Sequence, residues 1–230
     1  SELVFNKALL GDLTSTGLSM GLMYAIVSVG SVILQGAVNG FGTATITAHT
    51  AARKIDDIFM LPLGTIALAS STFASQNYGA GKTDRVKQGI KCSIIIAEIW
   101  SAFAVAVAVI FRRPLVQALT GTTDEAVIAA ASKYIVINIS FFFVLSVLLV
   151  LRSSLQGVGR KLVPVSGSIV EFLLKIVAVS VLAQKLGYLG ICICEPMIWA
   201  ACAGIVLADY SIFMRKTNVC RLDSKKPVMV

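Results

Sequence analysis

The sequence predicts an all-α membrane protein of six transmembrane helices, and three observations carry that prediction. Only 14% of the 230 residues are charged while 57% are hydrophobic, against roughly 25% charged residues in a soluble domain. The apolar residues fall into six blocks, at about 13–38, 44–74, 88–111, 126–151, 162–184 and 190–213, each near or above the roughly 20 residues that cross about 30 Å of hydrocarbon. Basic residues, finally, crowd into alternate connections between the blocks. Lipid offers no partner to an unpaired backbone amide, so each block has to be helical. With a mean hydropathy of +0.85 and no linker-like segment, 1–230 is expected to be one membrane domain.

The first block carries Gly17 with Gly21 and Gly36 with Gly40, a four-residue spacing that lets helix backbones approach closely in lipid. The second is the most polar, with His49, Arg53, Lys54, Asp56 and Asp57 in nine residues. Charges at bilayer depth are costly and mark either function or buried pairing. Arg53 lies one turn from His49 and one turn from Asp56 and Asp57, about ten residues into the span and roughly 15 Å deep. An ion pair between Arg53 and one of these acids is expected, with the other acid turned to a second helix or to water. Two readings fit: a substrate- or proton-responsive cluster lining a hydrated cavity, or a pair that fixes helix packing. Pro62 and Gly64 further along the same span suggest a hinge or a passive kink. Tyr78-Gly79-Ala80-Gly81 then closes the block, with Thr83 or Asp84 as the next N-cap.

The third block holds a lone acid, Glu98, which has to face protein or a cavity, and the small pair Ala104 and Ala108. Phe111-Arg112-Arg113-Pro114 is expected to stop it, because proline cannot donate into a continuing helix. The fourth block ends at Gln156-Gly157-Val158-Gly159. In the fifth, Glu171 and Lys175 stand at i,i+4 with the acid first, the favourable order for a self-neutralising pair. The sixth opens near Glu195-Pro196 and closes near Asp209, and both acids are expected at the membrane interfaces.

The net charge of +8 would suggest nucleic acid in a soluble protein, but its placement points to membrane topology and to no nucleic-acid partner. Lys7, Lys82, Arg85, Lys87, Lys91, Arg152, Arg160, Lys161, Arg215, Lys216, Arg221, Lys225 and Lys226 flank one set of connections; Arg112, Arg113 and Lys185 flank the other. By the positive-inside rule both termini are cytoplasmic in a multi-pass protein of the cell membrane. Cys92, Cys192, Cys194, Cys202 and Cys220 have no metal-ligand spacing and read as apolar filler. No phosphate-cradling loop or nucleophile elbow is present. The chain reads as no enzyme, with no cofactor.

Three stretches resemble a known family. Ala48-His49-Thr50-Ala51-Ala52-Arg53-Lys54-Ile55-Asp56, Leu61-Pro62-Leu63-Gly64 with Gln76-Asn77-Tyr78-Gly79-Ala80-Gly81, and Leu151-Arg152-Ser153-Ser154-Leu155-Gln156-Gly157-Val158-Gly159 together with Glu171 are similar to the multidrug and toxic compound extrusion (MATE) family. The resemblance covers essentially the whole chain and corresponds to the C-terminal six-helix lobe of that multidrug/oligosaccharide-lipid/polysaccharide exporter fold. It implies a partner N-terminal lobe, rocking between inward- and outward-open states, and antiport of small organic cations against Na⁺ or H⁺ as coupling ion. Some members carry cation-binding acids on the helices matching the first and fourth blocks; this chain has none there, which places the expected coupling acid in the other lobe. Within the same fold group, flipping of a lipid-linked precursor would call for a more basic cavity, to which Arg53, Lys54, Lys133 and Lys175 are candidates. A lobe acting as a non-transporting scaffold is the remaining alternative.

Overall fold

The computed structural model describes residues 7–160 and 162–223, so Lys161, Lys225 and Lys226 lie outside the described residues. Among the described residues the chain is helical between short turns: α1 (Lys7–Asn39), α2 (Thr43–Gly79), α3 (Thr83–Thr120), α4 (Glu125–Ser140), α5 (Phe142–Gly157), α6 (Leu162–Leu186) and α7 (Tyr188–Asp223). Five of these are long and apolar enough to cross a bilayer, and α4 with α5 makes a sixth span if the bent pair is counted as one. The fold class is the one that the sequence predicts.

The fourth block departs from the expected continuous helix. α4 and α5 are 16 residues each, about 24 Å apiece and short of a full crossing, and they meet at a 50° bend. No proline or glycine sits at the bend. Side chains before it carry the reason. Asn138 Nδ2 donates to the Tyr134 carbonyl of its own helix at 3.2 Å and to the Cys192 carbonyl of α7 at 3.1 Å. Ser140 Oγ donates to the Val136 carbonyl at 2.6 Å. Side chains that bond the backbone in this way compete with the regular ladder and bend helices. The Phe141 amide still finds Asn138 O at 3.0 Å, so the break leaves this amide satisfied.

One proline reading is also corrected. α3 does not stop at Pro114 but runs on to Thr120. Val116 beyond the proline is fully buried, and the helix ends only at Gly121, whose left-handed φ of 65° suits glycine. α2 likewise runs through Pro62. A proline deprives the preceding turn of a donor, and here Trp100 Nε1 of α3 donates to the Phe59 carbonyl in that turn at 2.9 Å. The carbonyl that the proline itself leaves without a donor is that of Ile58, four residues back, so the Trp100 bond to Phe59 is an added tie between the two helices in the same turn. Trp100→Phe should therefore cost about 1–2 kcal/mol in detergent unfolding; an unchanged midpoint would show the bond to be incidental. At the start of α3 the N-cap position is Lys82, with no side-chain cap, in place of the expected Thr83 or Asp84.

Packing follows small residues. Ala48, Ala52, Ile55, Leu63, Ala67 and Ala74 line one buried face of α2, and Ala97, Ser101, Ala104 and Ala108 one face of α3. α2 packs chiefly on α3, α5 and α4, and α7 on α6 and α5. On the opposite side of α3, Ile95, Ile99, Phe103 and Ile110 are exposed, the row expected to meet lipid tails. α1 is placed differently: it lies along α6 and touches α2 only lightly. Gly17, Gly21 and Gly36 meet nothing within 4 Å, so the close packing expected at those glycines is absent within this lobe. Because α1 sides with α6 and α2 with α5, a cleft opens between them.

Candidate functional site

The cleft forms a cavity of about 650 Å³, open on one side. α1 contributes Met20, Met23, Tyr24 and Val27; α2 contributes Asp57, Met60, Leu61, Gly64 and Leu68; α5 contributes Leu145, Leu148, Arg152 and Gln156; Glu171 and Trp199 close it from α6 and α7. Most of the wall is apolar, and the methionines supply polarisable, adaptable surface. A Cβ at Gly64 would meet nothing within 4 Å, so that glycine leaves the wall open.

Behind the wall a chain of alternating charges crosses four helices. Arg53 Nη1 of α2 lies 2.5 Å from Glu195 Oε2 of α7, and Tyr134 OH donates to the same oxygen at 3.1 Å. Lys175 Nζ of α6 is 3.3 Å from Glu195 Oε1 and 3.9 Å from Glu171 Oε1. Glu171 Oε2 in turn lies 3.5 Å from Arg152 Nη1 of α5, and Arg152 Nη2 also bonds Ser168 Oγ. Glu195, Glu171, Lys175 and Arg152 are all buried. Three cations thus share two acids, and each buried charge has an opposite neighbour, as burial requires. Gly30 makes room for this chain: a Cβ there would come within 3.1 Å of the Lys175 stem.

The expected pairing of Arg53 with Asp56 or Asp57 is not what forms. Arg53 reaches across to Glu195. Asp56 turns into the bundle, 2% exposed, with Oδ1 lacking a hydrogen-bond partner. Asp57, 100° round the helix, faces the cavity and is exposed, with no ion pair among the described residues. His49 is buried, edge-on to Tyr134 with ring centroids 4.9 Å apart, and its Nδ1 lies 3.5 Å from Tyr188 OH. His49 therefore sits in the same layer as Arg53 but lines no part of the cavity. Glu171 and Lys175 approach as the i,i+4 spacing suggests, yet each is shared with a further partner. Of Arg53, Lys54, Lys133 and Lys175, none lines the main cavity.

Sequence reasoning missed two members. Glu195 is no interfacial acid: α7 begins seven residues earlier, at Tyr188, so Glu195 lies two turns inside the helix and is 4% exposed. Arg152 is no loop charge: α5 extends to Gly157, which draws Arg152 into the bundle. No local signal announced them, since α2 carries Asp56 and Asp57 beside Arg53 and Lys54, and α6 carries Glu171 within one turn of Lys175. Asp209, also expected at an interface, is 7% exposed and holds Arg160 through both oxygens. Glu98 is not alone, accepting from Ser146 Oγ at 2.7 Å.

Comparison with known proteins fits this geometry. The family model described as MatE matches residues 20–181. The chain is 22% identical over 223 residues to the "Probable multidrug resistance protein YoeA" of Bacillus subtilis (strain 168), covering 96% of this chain and 48% of that protein. A crystal structure of MATE in complex with MaL6 superposes with a TM-score of 0.84 at 16% identity, over 94% of this chain and 49% of the other. A multidrug/oligosaccharide-lipid/polysaccharide (MOP) superfamily transporter from Pyrococcus furiosus, described as having reverse polarity of its binding pocket, does so with a TM-score of 0.74 at 13% identity, over 85% and 43%. The chain thus spans about half the length of the relatives it matches.

Proposed function

The chain belongs to the MatE family of multi-pass membrane transporters, and from that premise we propose that it is one six-span lobe of a cation-coupled multidrug antiporter. In this reading a second lobe faces the open side of the cavity, and the two rock about a substrate held between them. Na⁺ or H⁺ drives the exchange, through an acid in that second lobe. Both termini face the cytoplasm and the membrane is the cell's plasma membrane, as the basic connections indicate.

One observation carries the substrate class. Of the three charged side chains on the cavity wall, Arg152 and Glu171 belong to the charge chain, with Glu171 shared between Arg152 and Lys175, which leaves Asp57 as the charge without an ion-pair partner among apolar neighbours. A small organic cation with an apolar body fits such a wall, its charge on Asp57 and its rings on Met60, Leu61 and Trp199. Precisely placed basic groups, which an anionic lipid-linked precursor would need, are reduced to the neutralised Arg152.

Asp57→Asn tests this directly. Loss of a charge-assisted contact should lower export of a cationic dye by about tenfold in the intact transporter at normal expression, while Asp56→Asn, facing away, keeps the dye's apparent affinity. Unchanged efflux in both variants would remove the acids of α2 from the transport path.

A further inference from the structure

At the end of the bundle remote from the Gly79–Lys82 and Gly157–Arg160 turns lies a second recess, of about 380 Å³, between α3 and α4. Arg112, Arg113, Ser132 and Lys133 supply its polar wall, and Val136 and Ile137 its apolar floor. No acid lines it. Arg113 is held by Glu125 at 2.5 Å, and Asp124 is spent on capping α4, accepting from the Ala126 amide at 2.9 Å. Among the described residues Arg112 and Lys133 make no hydrogen bond or ion pair. Ser132 is 8% exposed, and its Oγ is a buried hydroxyl with no partner. A buried hydroxyl left without a partner costs free energy, and its place in a doubly cationic recess indicates an anion that both neutralises the cations and meets the hydroxyl.

We propose that this recess binds the phosphate group of an amphipathic anion, with Arg112 and Lys133 as its cationic arms and Ser132 as its buried hydrogen-bonding group. Three separate groups on two helices match the several oxygens of a phosphate better than the two of a carboxylate. The level of the recess fits a phospholipid headgroup: Arg112 follows the exposed apolar residues Ile110 and Phe111, and Lys133 can extend its stem over the apolar floor to the same depth. Basic pockets between membrane helices hold such headgroups on the cytoplasmic side; this recess lies at the opposite end of the bundle, so the headgroup it would take is one of the other leaflet. The recess shares no residue with the main cavity, so the site stands or falls separately from the transport reading.

The test is thermal unfolding of the intact protein in phosphatidylcholine nanodiscs with and without phosphatidylglycerol, and in detergent with and without inorganic phosphate. Phosphatidylglycerol is expected to raise the unfolding midpoint. Arg112→Gln with Lys133→Gln should abolish that rise, and Ser132→Ala should weaken the apparent affinity by about tenfold. Stabilisation by inorganic phosphate as well, lost in the same variants, supports the site and identifies the free anion as sufficient; stabilisation by the lipid alone supports it and makes the headgroup the ligand. Lys82→Gln with Lys91→Gln removes two basic charges elsewhere and should leave the rise intact. An equal loss in that control, or no difference between the wild type and the Arg112 and Lys133 variant with either probe, overturns the proposal.

Discussion

Replacing Glu195 with alanine is expected to lower the unfolding midpoint in detergent by about 6–20 °C. Glu195 is the shared acceptor of the charge chain: Arg53 at 2.5 Å, Tyr134 at 3.1 Å and Lys175 at 3.3 Å all converge on its two oxygens. Without it, Lys175, 3% exposed, keeps only Glu171 at 3.9 Å, and Arg53 keeps only Tyr134 at 3.4 Å. Breaking a buried pair by removing one partner costs about 3–5 kcal/mol, and each kcal/mol moves the midpoint of a chain this size by about 2–4 °C. Glu195→Gln keeps an acceptor oxygen and should fall between the two. A midpoint for Glu195→Ala within about 1 °C of wild type would show that the cations find water instead, and that the chain of charges adds nothing to stability.

The second large effect is expected from a single methyl group. Gly157, the last residue of α5, lies against α2: a Cβ there would stand 2.5 Å from the Ser71 carbonyl oxygen and 2.7 Å from its Oγ. Ser70 and Ser154, one turn back, join the same two helices through their hydroxyls at 2.8 Å. Gly157→Ala has to push α5 from α2, at about 1–3 kcal/mol for the overpacking, or about 2–12 °C. Ser71 and Gln156 both line the main cavity, so the same displacement should reduce export. Combining Ser71→Ala with Gly157→Ala relieves the hydroxyl contact but not the carbonyl one, and should recover little. Full recovery in the double variant would place the clash on the side chain and not the backbone.

Why the spans were legible and their interruptions were not has a physical basis. Hydrocarbon imposes a length on every crossing, so apolar blocks and the turn glycines that end them can be read one residue at a time. The bend after Ser140 depends on Asn138 reaching a carbonyl of α7, 54 residues away, and no local pattern announces it. Pro114 shows the converse. Its local preference to end a helix is overridden because Val116, with half-buried Leu115 beside it, still buries against the bundle. At the candidate site, the placement of polar residues on α2 was legible from helical geometry, which puts Asp56 and Asp57 on different faces. The partner of Arg53 was not, since i,i+3 neighbours compete with an acid 142 residues further on, and only the packed structure decides between them.

That separation has a consequence for how the protein is made. α2 is the least apolar of the single helices able to cross, with a mean window hydropathy of 1.5 against 2.5 for α3. Its arginine meets its acid only after another 142 residues of chain have followed. At about 5–20 residues per second of synthesis, that interval is about 7–28 s. Until then Asp56 and Asp57 on the same helix are the acids within reach of Arg53, so its pairing with Glu195 is a contact that only the arrival of α7 can make, and the lobe closes from its last helix back onto its second.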